Sequence, residues 1–192
     1  MEPEPGNEDA GTVVLVEGLS DKLALEALAA RRGRDLAAAD VAIVSMGGSK
    51  NIGAFLERFG PEGSDRKVAG LCDAGEEGDF RRGLERAGVG SVPTRADLER
   101  LGFFVCVADL EDELIRSLGA AAVERVIESL GEMGPLRTFQ RQPAWRGRPA
   151  EEQLRRFFGT HAGRKAAAAP ALVAALDLER VPEPLDRLLA YL

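Results

Sequence analysis

Hydrophobic residues alternate between two spacings along the chain. Thr12-Val13-Val14-Leu15-Val16 is a short, unbroken, β-branched run, the pattern of a strand buried on both faces of a parallel sheet. Gly18 ends it, Ser20 offers an N-cap, and Leu23, Leu25, Ala27 and Leu28 form the apolar side of a helix that ends near Gly33. The unit recurs with Val41-Ala42-Ile43-Val44, a Gly47-Gly48 turn, and a helix burying Ile52, Phe55, Leu56 and Phe59. It recurs again with Lys67 to Cys72, then Asp73-Ala74-Gly75 and a helix through Phe80 and Leu84 to Gly88. A fourth run, Phe103 to Val107, leads into a helix opening at Asp109 to Ile115. Strand alternating with helix four times predicts an α/β fold with a mostly parallel central sheet and helices on both faces.

Beyond about residue 120 the pattern is helical only, with Pro135, Pro143, Pro149 and Pro170 predicted to interrupt the helices. The first residues are rich in Glu, Pro and Gly and have little to bury, the composition of a disordered tail. The organisation expected is a tail over 1–11, an α/β domain over 12–132, and a basic helical extension over 133–192 packed on the same domain.

Composition narrows the chemistry. At 192 residues and 45% hydrophobic content the chain can close one core. No run approaches the roughly 18 apolar residues of a membrane span, and the acidic, proline-bearing start is unlike a signal peptide, so a cytoplasmic protein is expected. Cys72 and Cys106 stand alone in apolar runs, as buried thiols without a redox or zinc role do. The sole histidine, His161, rules out a multi-histidine centre. Carboxylates remain as ligands, and these favour hard cations such as Mg²⁺ or Mn²⁺.

Acids follow three of the four predicted strands directly: Glu17 and Asp21, then Asp73 with Glu76 and Glu77, then Asp109, Glu111, Asp112 and Glu113. In an open α/β sheet the loops at the carboxyl ends of the strands converge. Acids crowded there repel one another unless a cation compensates. Glu77, Asp79 and Asp112 have a simpler reading as first-turn acids favoured by the helix dipole.

These residues resemble a known family. Val14-Leu15-Val16-Glu17-Gly18-Leu19-Ser20-Asp21 resembles the first motif of TOPRIM domains, and Leu71-Cys72-Asp73-Ala74-Gly75-Glu76 the second. Met46-Gly47-Gly48-Ser49-Lys50-Asn51-Ile52, Asp109-Leu110-Glu111-Asp112-Glu113-Leu114 and Gly163-Arg164-Lys165 extend the likeness to the OLD (overcoming lysogenization defect) branch, over residues 12 to about 165. The resemblance implies a Rossmann-like TOPRIM fold and metal-dependent cleavage of phosphodiesters, with one or two Mg²⁺ or Mn²⁺ ions. It implies Glu17, Asp21, Asp73 and Glu111 as ligands, Asp109 and Glu113 as further ligand candidates, and Lys165 as the stabiliser of charge on the phosphate; Glu17, Asp73 and Lys165 are the catalytic candidates. The usual second acid of the second motif is replaced by Gly75, so either Glu76 substitutes or the site holds a single ion. OLD nucleases that fuse an ATPase to TOPRIM differ here: no Walker A motif occurs, Gly47-Gly48-Ser49-Lys50 offering at most phosphate binding at a helix start. The chain looks like the nuclease module standing alone, and a separate ATPase subunit is a candidate partner.

Charge distribution adds a partner. The chain carries net −7, yet Arg137, Arg141, Arg146, Arg148, Arg155, Arg156, Arg164 and Lys165 face only Glu151 and Glu152 within one segment. Arg141, Trp145, Arg146, Arg148, Arg155, Arg156 and Arg164 are therefore candidate nucleic-acid contacts, for DNA first and RNA second. Trp145 can equally stack on an unpaired base or anchor its loop to the core, and Lys165 can equally be a solvated lysine. RNA processing, a non-catalytic nucleic-acid-binding module, and a receiver domain phosphorylated on Asp73 are the competing functions. Primase-like transfer would call for a zinc element that two isolated cysteines cannot build.

Overall fold

The structure, a computed structural model, describes residues 10–161 and 163–192. Four strands, β1 (Thr12–Val16), β2 (Val41–Ser45), β3 (Lys67–Asp73) and β4 (Phe103–Cys106), form one sheet in the order β2-β1-β3-β4. Every neighbouring pair is parallel. Ten α-helices are described: α1 (Leu19–Arg31), α2 (Ile52–Phe59), α3 (Glu77–Arg86), α4 (Arg95–Arg100), α5 (Leu110–Leu118), α6 (Ala120–Ser129), α7 (Met133–Gln140), α8 (Ala150–Phe158), α9 (Arg164–Ala175) and α10 (Glu183–Tyr191). Among the described residues no helix is long and apolar enough to cross a membrane.

The continuous apolar runs are explained by two cores. Successive strand residues point to opposite faces, so Val14, Val16, Ala69, Leu71, Phe104 and Cys106 share one core with α1 and α5 to α10. Val13, Leu15, Cys72, Phe103 and Val105 share the other with α2, α3 and α4. Cys72 and Cys106 are buried and unpaired, and burial raises both thiols above their ordinary range, which keeps them protonated. Gly70 has a packing reason: a Cβ there would lie 2.7 Å from the Phe103 ring and 2.6 Å from the Leu15 carbonyl.

The strand order also places the site. The chain leaves β1 for β2 on one side through α1, then returns past β1 to β3 through α2 on the other face. The two excursions part at the carboxyl ends of β1 and β3, the place where such a topology sets its functional crevice. Glu17 follows β1 and Asp73 ends β3, so both carboxylates stand at its edge.

Several local expectations change. Ser20 lies inside α1 rather than capping it; Gly18 is the cap residue, and the Asp21 carboxylate accepts its N–H at 2.8 Å. The sequence pattern missed α4, although Thr94 and Asp97 form a reciprocal capping box at its start. Pro170 does not interrupt a helix: α9 runs through it, and Pro135 sits in the first turn of α7, where a missing N–H costs little. Ala10 is fully buried and the Gly11 carbonyl accepts from Lys67 N–H, so the ordered fold starts within the predicted tail, whose residues 1–9 lie outside the described residues.

The helical layer is joined to α1 by arginines. Arg31 donates to the carbonyls of Val173 and Leu176 at 2.7 and 2.8 Å, satisfying the last turn of α9. Arg31→Ala should destabilise the chain by about 2 kcal/mol, the scale of a pair of charge-assisted bonds at a partly buried site. Urea unfolding measures it, and an unchanged midpoint would show that the α9 carbonyls are equally well served by water.

Candidate metal centre

The acids that open into the crevice interact through their charges. Glu17 leaves β1 with its carbonyl held by the Gly48 N–H at 3.0 Å. Its carboxyl group is pushed up to about 7 by burial, by a hydrogen bond with Glu76 and by the charges of Glu76 and Asp21, against a lowering by Lys165. Asp73 rises to about 8, through burial first and then through Asp21, Glu17, Asp109 and Glu111. Asp21 rises to about 6: burial and the Glu111 charge outweigh the Gly18 N–H and Lys165. Glu111 is only 4% exposed; Lys165 Nζ donates to its Oε2 at 2.7 Å, while its Oε1 is buried without a partner. Burial opposes the Lys165 charge, but Glu111, Asp109 and Asp21 outweigh that and raise its pKa.

Glu76, next to the departure at Gly75, acts on Glu17. The three residues after β3, Ala74 to Glu76, form a tight 3-10 turn, which swings Glu76 back to the carboxyl group of Glu17. Its Oε2 is also buried without a partner. Its signal in the sequence was its place one residue beyond the motif's usual acid.

Two expected ligands are committed elsewhere. Glu113 accepts the Val107 N–H at 2.6 Å and pairs with Arg116 at 2.7 Å, fixing the strand-to-helix exit of β4. Asp109 caps α5 by accepting the Asp112 N–H, and its second oxygen takes Arg155 at 2.8 Å. Glu77, Asp79 and Asp112 lie in first helical turns.

The residues that remain fit a hard divalent cation: every donor is oxygen, three of the carboxyl groups are raised by burial and mutual repulsion, and two buried oxygens lack partners. Among the described residues no group of three acid, histidine or cysteine side chains is drawn together tightly enough to hold an ion as they stand. Lys165 Nζ, seated on Glu111 Oε2, is the cation that faces these acids.

Beside the crevice lies a cleft of about 560 Å³ lined by Asp109, Trp145, Arg148, Arg155, Arg156 and Lys165, among others. The structure brings Arg148, Arg155 and Arg156 to it. Trp145 takes the anchoring role: its ring stacks on Phe139 at 5.2 Å and carries Arg148 at 5.1 Å. Gln153, a buried residue the sequence reading passed over, donates to the carbonyls of Trp145 and Arg148 at 2.9 Å each and pins this loop. Arg141 and Arg146 are exposed and donate to backbone carbonyls, of Arg137 in α7 and of Arg141 respectively. Arg164 is turned inward, over the Phe157 ring at 4.0 Å and paired with Glu132 at 2.9 Å, a structural staple rather than a surface contact.

Comparison with known proteins bears on the fold that carries these residues. Residues 10–74 match the family model of the overcoming lysogenization defect protein-like TOPRIM domain. The chain is similar to the solved C-terminal region of the Burkholderia pseudomallei OLD protein, at TM-score 0.68 and 22% identity over 95% of this chain and 96% of that one. It is similar also to the C-terminal region of the Xanthomonas campestris pv. campestris OLD protein, at TM-score 0.73 and 22% identity over 95% of this chain and 92% of that one. No curated protein matches the sequence. Residues 10–74 thus match the OLD-like TOPRIM model, and over nearly its whole length the chain has the fold of the C-terminal regions of OLD proteins.

Proposed function

We propose that the chain is the catalytic module of a divalent-metal-dependent endonuclease that nicks and cleaves DNA. The observation that supports this is that Glu17, Asp21, Asp73, Glu76 and Glu111 act on one another's charges at the carboxyl ends of β1 and β3, with Lys165 seated on Glu111. Glu17, Asp73, Glu76 and Glu111 would hold Mg²⁺ or Mn²⁺, with Asp21 lending charge from the first turn of α1. A divalent ion held there would supply water activation and charge stabilisation at the scissile phosphate.

The chain's own groups do the rest. Lys165 keeps a positive charge where negative charge develops on the phosphate oxygens. Arg148, Arg155 and Arg156 grip the strand through phosphate oxygens along the adjoining cleft. Trp145, stacked on Phe139, would hold the shape of that cleft. A separate ATPase subunit is the partner this reading proposes, by resemblance to the OLD nucleases that work with an ATPase.

The test is incubation of the purified chain with supercoiled plasmid, single-stranded DNA and structured RNA, each with Mg²⁺, Mn²⁺ or chelator. Nicked and linear plasmid should appear with either metal, vanish with chelator, and be indifferent to ATP. Plasmid left intact in every metal condition would overturn the reading, and cleavage confined to RNA would reassign the substrate.

A further inference from the structure

Two cations working on one phosphate sit roughly 3.5–4 Å apart and need acids on both sides. The supply here is lopsided. Toward β1 and β3 stand Glu17, Asp73 and Glu76, with Glu76 hydrogen-bonded to Glu17. Asp21 from α1 and Glu111 from α5 complete the set, and both are partly spent. One oxygen of Asp21 accepts the Gly18 N–H at 2.8 Å, and Oε2 of Glu111 accepts Lys165 Nζ at 2.7 Å. Gly75 brings no side chain, although a Cβ at that position would meet no heavy atom within 4 Å. A missing acid at an uncrowded position is a chemical absence, not a steric one.

Lys165 is also placed against local preference. It lies with Arg164 in the first turn of α9, which contains no acid, and the positive end of a helix dipole disfavours cations. Glu111, 96% buried by its 4% exposure, supplies the compensating charge from across the site. Its other oxygen is left without a partner.

We propose that this site takes one divalent cation per chain, and that the Lys165 ammonium occupies the place of a second. The inference rests on the metal-dependent reading above. Glu111 is shared: Oε1 serves the ion and Oε2 serves Lys165, as a bridging carboxylate is shared between two ions. Glu17, Asp73 and Glu76 complete the acids of the single ion, which keeps water in its remaining positions as magnesium commonly does. A tethered ammonium outcompetes a second solution cation because its attachment to α9 holds it near Glu111 at high effective concentration.

Titration calorimetry of the metal-free full chain with Mg²⁺, and counting of bound Mn²⁺ by electron paramagnetic resonance, test this without reference to cleavage. Wild type should bind one ion. Lys165→Met, which keeps the length of the side chain and removes its charge, should bind two, the second more weakly. Thermal melting of the variant confirms that it is folded, and Lys165→Arg should restore a count of one. Two ions in wild type would overturn the proposal and leave the metal-dependent reading intact. A count of one in Lys165→Met would overturn the role of the ammonium. No binding in wild type would remove the metal-dependent reading itself, and this proposal with it.

Discussion

Asp73→Asn is expected to lower metal-dependent DNA cleavage by roughly 10²–10³-fold at saturating DNA, while DNA affinity changes little. The carboxylate ends β3 at the edge of the crevice, and the charges of Asp21, Glu17, Asp109 and Glu111 all bear on it. An amide keeps the shape and removes the charge that would hold an ion. The same change should make the metal-free chain more stable at pH 8, because it deletes one member of a set of mutually repelling acids. Loss of turnover with a gain in melting temperature is the signature of a site kept at the expense of stability. A variant that cuts at the wild-type rate would remove Asp73 from the chemistry. A variant that melts lower than wild type at pH 8 would show that Asp73 is structural.

The second large effect is on pH dependence. Asp73, Glu17 and Asp21 are raised in the folded chain to about 8, 7 and 6, from ordinary values of 3.8, 4.5 and 3.8. Between about pH 4 and pH 8 the folded state therefore binds more protons than the unfolded one, and stability falls as pH rises. The contribution of these groups is fully present below their unfolded values and is lost as pH climbs through 6 to 8. The metal-free melting temperature should accordingly drop from pH 5 to pH 8.5. Saturating Mg²⁺ should flatten that slope, because the cation takes over the neutralising role of the protons. Its stabilising effect should be small at pH 5 and largest near pH 8.5, with protons released on binding at pH 7. Scanning calorimetry across that range, with and without Mg²⁺, measures both. A metal-free melting temperature that rises from pH 5 to pH 8.5 would mean that the three acids are not held protonated by the fold.

Much of the architecture was legible because it depends on short-range patterns. Each strand is a run of apolar residues too short for a helix and too continuous for a one-sided sheet, and the helices after β2, β3 and β4 show apolar spacing near 3.6. Glu17, Asp73 and Glu111 could be read as strand-end acids because the residues before them are unmistakably strand or helix start. Helix α4 escaped because six residues carry too little periodicity, leaving only the Thr94 and Asp97 capping box as a signal. Pro170 misled because the cost of proline within a helix is set by tertiary packing, which holds α9 together around it.

The sequence by itself determined the alternation of strand and helix, the order of the acids along the chain, and the placing of the first three acid-bearing segments at strand ends. These follow from side-chain size, branching and glycine positions, which act over a few residues. Only the tertiary structure decided which charges meet. Lys165 reaches Glu111 across 54 positions, and Arg155 reaches Asp109 across 46. Arg164 turns from the surface to the Phe157 ring, and Trp145 turns to Phe139. No local pattern encodes such pairings, because they depend on how the helical layer folds back over the sheet, and it is burial within that layer that turns a row of ordinary acids into a site with raised pKa values.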